Sequence, residues 1–139
     1  MSDPAEGQGA VNGWDVVLYH YQPDKARALR EAVLPLAGRL AAEGSAVHVE
    51  RHWKFGPHLR LRLRGPEARV AEAACRAAET LRQWADTHPS VADRSDEELL
   101  AEAAVAGRAE LVAPPYGPLV PDNTVVAAPV DPAAESRRC

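Results

Sequence analysis

Between His58 and Arg64 apolar and polar residues alternate without a break, His-Leu-Arg-Leu-Arg-Leu-Arg. On a strand that spacing puts Leu59, Leu61 and Leu63 on one face and His58, Arg60, Arg62 and Arg64 on the other. Guanidinium groups stay charged and hold carboxylates in a planar fork, whereas imidazoles titrate near neutrality. A surface bearing both can grip an anion and move a proton. The segment before it alternates as well, with Val47, Val49, Arg51 and Trp53 on one side and His48, Glu50 and His52 on the other. Trp53 to Pro57, containing Gly56-Pro57, reads as the loop of a longer hairpin. Burying Val49 against Leu61 and Val47 against Leu63 fixes the register, because a one-residue slip would turn the valines towards the arginines. That register sets Glu50 opposite Arg60, His48 opposite Arg62 and His52 opposite His58. The plainest alternative is a solvated strand face, with Glu50–Arg60 a cross-strand ion pair contributing about 0.2–1 kcal/mol.

The elements that must carry this hairpin follow from the rest of the chain. Trp14 to Tyr21 (WDVVLYHY) is rich in β-branched and aromatic residues and reads as a buried, central strand. Either His20 or the tyrosine hydroxyls join the polar face. Pro23-Asp24 opens a helix with the stripe Leu29, Val33, Leu36, Leu40, which stops at Gly44 and should kink or split at Pro35. Gly65-Pro66 starts a second helix through about Thr87, burying Val70, Ala74, Ala77 or Ala78, Leu81 and Trp84, with Cys75 a small core residue. Ser95-Asp96-Glu97-Glu98 is a capping box that begins a short third helix ending near Gly107. A last short strand is expected over 110–113, followed by an irregular, proline-rich course from Pro114 to Val125.

The element order β-α-β-β-α-(α)-β predicts an α+β fold, a ferredoxin-like split βαβ sandwich: an antiparallel sheet with helices on one face and the other face free. Residues 1–12 and 127–139 lack periodicity and are expected to be disordered tails around one domain, 13–126. With 139 residues the chain suits one hydrophobic core. The net charge of −4 disfavours non-specific nucleic-acid binding, which needs summed positive charge. The aromatics of Trp53-Lys54-Phe55-Gly56 fall in the loop rather than along a strand, unlike a base-stacking platform. No run of residues is apolar enough to span a membrane and no signal-like stretch precedes the domain, so the chain is expected to be cytoplasmic. His48, His52 and His58 are numerous enough for a metal, but interleaved arginines repel a divalent cation and no Cys or carboxylate pair has ligand spacing. No metal or other cofactor is expected.

These residues carry a family resemblance. Trp14-Asp15-Val16-Val17-Leu18-Tyr19-His20, a helix with Val33-Leu34-Pro35-Leu36, and Arg51-His52-Trp53-Lys54-Phe55-Gly56-Pro57-His58-Leu59-Arg60-Leu61-Arg62 resemble the start of the C-terminal domain of lantibiotic dehydratases. The same domain occurs alone as the thiopeptide-type bacteriocin biosynthesis proteins. Pro118-Leu119-Val120-Pro121-Asp122-Asn123-Thr124-Val125 is similar to a later segment of the family, so the likeness spans roughly residues 14 to 125.

The resemblance implies modification of ribosomally made peptides. In full dehydratases one domain esterifies peptide Ser or Thr with glutamate from glutamyl-tRNA, and the C-terminal domain eliminates that glutamate. Relatives of the lone domain close the nitrogen ring of thiopeptides from two dehydroalanines, and others append amino acids to carrier peptides. Elimination needs a base for the Cα proton, positive charge beside the developing enolate and an acid or cation for the departing carboxylate. The family's site relies on arginines and a histidine, and the arginines carry over to Arg60 or Arg62. The family's domain is usually longer, and its histidine falls in a part without counterpart here. One of His20, His48, His52 and His58 substitutes, or the chain works with a partner, or it is no catalyst.

Arg60, Arg62, His58 and His52 are therefore the catalytic candidates, and Arg51, Glu50, His48, Arg64 and Trp53 the candidates for substrate binding. The expected partners are a precursor peptide and a dehydratase or glutamylation protein, with no direct nucleic-acid or membrane contact. An exposed sheet face and a proline-rich tail suit a homodimer or heteromer. The competing function is an accessory module that binds a leader peptide or docks on a dehydratase, by adding a strand to its sheet edge.

Overall fold

The computed structural model describes residues 11–22, 24–91 and 94–130. Four strands, β1 (Val11–Tyr19), β2 (Ala46–His52), β3 (His58–Pro66) and β4 (Thr124–Pro129), form one sheet in the order β2-β3-β1-β4. Every neighbouring pair is antiparallel. The order fits the expected split βαβ sandwich, in which a strand from the second half sits between the two strands of the first. The hairpin register is the one the alternation dictates: Val47 faces Leu63, Val49 faces Leu61, and Glu50, His48 and His52 face Arg60, Arg62 and His58.

Helices cover one face. The first helical segment, α1 (26–42), has three pieces: Ala26–Ala28, a π-turn over Leu29–Val33 and an α-helix over Leu34–Ala42. Pro35 explains the division, because it has no N–H to donate and crowds the preceding turn, which the wider π-turn accommodates. Gly44, with φ of +106°, ends the segment. Helix α2 (Glu67–Thr87) packs on β1, β3 and β4, and α1 on β2. Trp14, Val16 and Leu18 of β1 and Leu59, Leu61 and Leu63 of β3 are at most 1% exposed against Val33, Leu36, Leu40, Val70, Ala74, Ala78 and Leu81. Truncating one of these leucines to alanine costs roughly 2–5 kcal/mol. Trp84, at the margin of that core, and Cys75 are only half-buried.

The opposite face is partly covered, not free. Helix α3 (Asp96–Glu110) starts at the expected capping box, with the Glu98 amide donating to the Ser95 hydroxyl at 3.1 Å and the Ser95 amide to the Glu98 carboxylate at 2.8 Å. Its Leu99 joins Tyr19, Tyr21, Phe55, Leu119 and Val120 in a second apolar cluster at one end of the sheet. Helix α3 continues to Glu110 and stops where Leu111 turns left-handed at φ of 60°, so the strand expected over 110–113 does not form. The place beside β1 is taken by β4, whose Val125 and Ala127 complete the main core. The ordered domain thus reaches further than expected at both ends. Residues 127–129 pair with Trp14 to Val16 of β1, and Val11 and Asn12 pair with Pro66 and Gly65. Residues 1–10 and 131–139 lie outside the described part.

Tyr19 and His20 resolve which side of β1 carries polar groups. Tyr19 stands opposite His58, ring centroids 4.8 Å apart, while His20 packs against Trp84 on the helical side at 5.3 Å.

Candidate functional site

Register gathers the candidate residues into two adjoining regions. On the sheet face away from α1 and α2, Arg60 is hydrogen-bonded to Glu50. Arg62 forms a fork with Asp15, Nε–Oδ1 at 2.7 Å and Nη2–Oδ2 at 2.9 Å. Hydrogen bonding by Arg60 holds the Glu50 carboxyl below its usual range, and Asp15 raises the Arg62 guanidinium above its own. Both arginines are therefore already bound to carboxylates of the chain itself. Among the described residues the buried Arg60 Nε has no hydrogen-bond partner. His48 is exposed, its Nε2 3.3 Å from Glu50 Oε2. Arg64 is also exposed and shares a shallow hollow of about 300 Å³ with Ala46, Val47, His48 and Arg62.

Asp15 escaped the sequence reading. In WDVVLYHY it is a lone acid between apolar residues, and only the β1–β3 register, with Asp15 opposite Arg62, gives it a partner.

The second region is a cleft of about 400 Å³ where the β2–β3 loop meets α3 and the start of α1. Arg51, His52, Trp53, Pro57 and His58 line it from the hairpin. Lys25, Arg94, Glu102 and Glu110, none of them singled out from the sequence, close it from the other side. The loop takes its shape from Phe55 and Gly56, with φ of 66° and 116°. A side chain at Gly56 would collide with the Tyr21 ring and hydroxyl, so the close approach requires glycine.

Burial differs sharply between the two imidazoles. His58 is 5% exposed, and its Nδ1–H donates to the Gly56 carbonyl at 2.9 Å. Burial pushes its pKa down to about 4, with the backbone bond opposing. His58 is therefore neutral at pH 7, with an unprotonated Nε2. His52, half-buried and stacked on Trp53 at 4.9 Å, accepts at Nδ1 from the Lys54 amide at 3.2 Å, which leaves its proton on Nε2. Burial and then Arg60 lower its pKa too. The rings lie 5.4 Å apart, one presenting a lone pair and the other a proton. Arg60 joins the two regions, since its charge bears on both imidazoles. Burial also raises the pKa of Tyr19, partly offset by Arg60.

The cleft walls are fixed by polar contacts. Trp53 Nε1 donates to Glu110 Oε1 at 3.2 Å, and its ring meets Tyr116 edge-on at 5.4 Å. Arg94 is paired with Glu102. Among the described residues no three His, Cys, Asp or Glu side chains gather so as to hold a metal ion, and no helix is long and apolar enough to cross a membrane.

The chain is similar to the pyridine synthase TbtD from thiomuracin biosynthesis, with a TM-score of 0.75 and 21% sequence identity over 87% of this chain and 40% of that one. At that identity the likeness establishes the fold, and the chain spans about two fifths of the length of that relative. No curated protein matches it. Residues 14–133, most of the chain, match the family described as lantibiotic biosynthesis dehydratase, C-terminal. This protein therefore belongs to the lantibiotic biosynthesis dehydratase C-terminal family.

Proposed function

We propose that the protein acts in ribosomal peptide antibiotic biosynthesis on a glutamylated or dehydrated precursor peptide, by glutamate elimination or the related cyclisation. The observation that carries this reading is the pair of neutral imidazoles in one cleft, a bare Nε2 on His58 beside a protonated Nε2 on His52. In the elimination, His58 Nε2 takes the Cα proton of the esterified residue. The electron pair forms the Cα–Cβ double bond, the Cβ–O bond breaks and glutamate departs as a carboxylate. The His52 Nε2–H and the Arg60 charge stabilise the enolate oxygen that develops on the peptide carbonyl. A pKa of about 4, set mainly by burial, makes His58 a weak base by itself. An arriving carboxylate raises it towards neutrality, tying basicity to occupancy.

Arg62 has a different part in this reading. Its fork to Asp15 holds β3 against β1 and so keeps Arg60 and His58 in place. Arg51 and Trp53 face the substrate from the cleft, while His48, Glu50 and Arg64 border the approach along the sheet.

A second reading, an accessory module that holds a leader peptide or docks on a dehydratase, draws on the same ion pairs. Arg60 and Arg62 satisfied by Glu50 and Asp15 are what a structural sheet face contains. The test is to incubate the protein with glutamylated precursor peptide, alone and with its neighbouring gene products, and follow the loss of glutamate by mass. Elimination abolished in His58→Ala and weakened in His52→Ala supports the first reading. Measurable peptide binding with no mass change in any combination supports the second.

A further inference from the structure

We propose that Lys25 and Arg51 form a carboxylate-binding subsite in the cleft beside His58, so that the cleft selects ligands carrying a free carboxylate. The natural ligand, a glutamyl ester with a pendant carboxylate, rests on the elimination reading; the subsite itself does not.

Lys25 is the unusual residue. It is 6% exposed, and its ammonium donates to the backbone carbonyls of His20 and Gln22. An ammonium has three protons to donate, so one is left for a ligand in the cleft that Lys25 lines. Buried lysines are normally paired with an acid. Among the described residues no carboxylate lies within ion-pair distance of this one. The acids nearest in sequence and space act only through the field: Asp122 and Asp24 attract its charge, whereas Arg51 and Arg94 repel it.

The other polar groups of the cleft already have partners within the chain. Arg94 is paired with Glu102, and Glu110 accepts from the Trp53 indole. Arg51 is exposed and has no acid partner among the described residues. Lys25 and Arg51 thus face Glu110 as the one carboxylate of the cleft without a cationic partner among the described residues, which leaves one net positive charge in a space of about 400 Å³. Glu102 and Glu110 in the same walls oppose a dianion, which favours a carboxylate over a phosphate. Burial, with Arg51 adding to it, lowers the Lys25 pKa to about 8. A bound carboxylate raises it again, so binding takes up protons near pH 8 and weakens as pH rises through that value.

The experiment titrates the full chain with glutaramate, which carries one carboxylate, and with glutaramide, which carries none, following amide shifts by NMR. Glutaramate is expected to shift amides around residues 25, 51 and 58 and to bind at least about tenfold more tightly than glutaramide. Lys25→Met and Arg51→Gln are each expected to weaken glutaramate about tenfold. Arg51→Gln, at an exposed position, keeps the test decisive should Lys25→Met not fold. Calorimetry in two buffers at pH 8 should register proton uptake. Equal affinity for both probes, no binding of either, or inorganic phosphate binding as well as glutaramate would overturn the proposal. Elimination from glutamylated peptide is measured on the same samples. Glutaramate binding without elimination removes the elimination reading and keeps the subsite, and elimination without preference for glutaramate does the reverse.

Discussion

Acidification should destabilise this protein through His58, by an amount that can be worked from its surroundings. An unfolded histidine titrates near 6.5, whereas the buried ring titrates at about 4. Between those values the unfolded chain binds more protons than the folded one, so stability falls as pH drops from 6.5 towards 4 and the contribution is intact above 6.5. A shift of that size, at about 1.4 kcal/mol per pH unit, comes to about 3 kcal/mol. His20 and His52 are shifted in the same direction by burial and add to the loss. Urea unfolding at pH 7.5, 5.5 and 4.5, on the parent and on His58→Gln, isolates the term, because glutamine keeps a donor for the Gly56 carbonyl and has nothing to titrate. The parent's advantage over the variant should shrink by about 3 kcal/mol across that range. An imidazole NMR titration placing His58 near 6.5, or a variant that loses as much on acidification as the parent, would refute the reasoning.

Three further outcomes follow from named contacts. Asp15→Asn removes the charge that forks to Arg62 and should cost about 1–3 kcal/mol in urea unfolding, much of it recovered in the Asp15→Asn, Arg62→Met double variant. Gly56→Ala puts a methyl group into the Tyr21 ring at a positive φ. It should destabilise by more than about 1 kcal/mol and broaden the His58 ring resonances, whereas an unchanged spectrum would mean the loop is not so constrained. Ser95→Ala breaks the capping box of α3 and should cost about 1 kcal/mol, with early loss of α3 amide protection in hydrogen exchange.

Local pattern made the hairpin legible. Strict alternation through residues 58–64, opposed by 47–52, allows only one register that buries the leucines, and the sheet adopts it. The capping box at Ser95 was equally readable, because its chemistry is contained within four residues. What pattern could not supply was which distant segments meet. The Asp15–Arg62 fork depends on β1 lying beside β3, and Lys25 looks like any residue at the start of a helix until separate loops close over it. The last strand was misplaced because Leu111-Val112 offers an apolar pair just after a helix. Thr124–Pro129 lies among prolines and ends in one, which reads as irregular chain, yet its Val125 and Ala127 are what the main core lacked.

The β2–β3 loop does not hold its own shape. The Phe55 amide donates to the Tyr116 carbonyl at 2.9 Å, and the Phe55 carbonyl accepts from the Val120 amide at 2.8 Å. The proline-rich stretch is thereby a splint laid along the hairpin tip. Trimming or splicing residues 114–121 would leave every cleft side chain in the sequence and still blunt the cleft, because Trp53, His52 and His58 would lose the backbone anchor that aligns them.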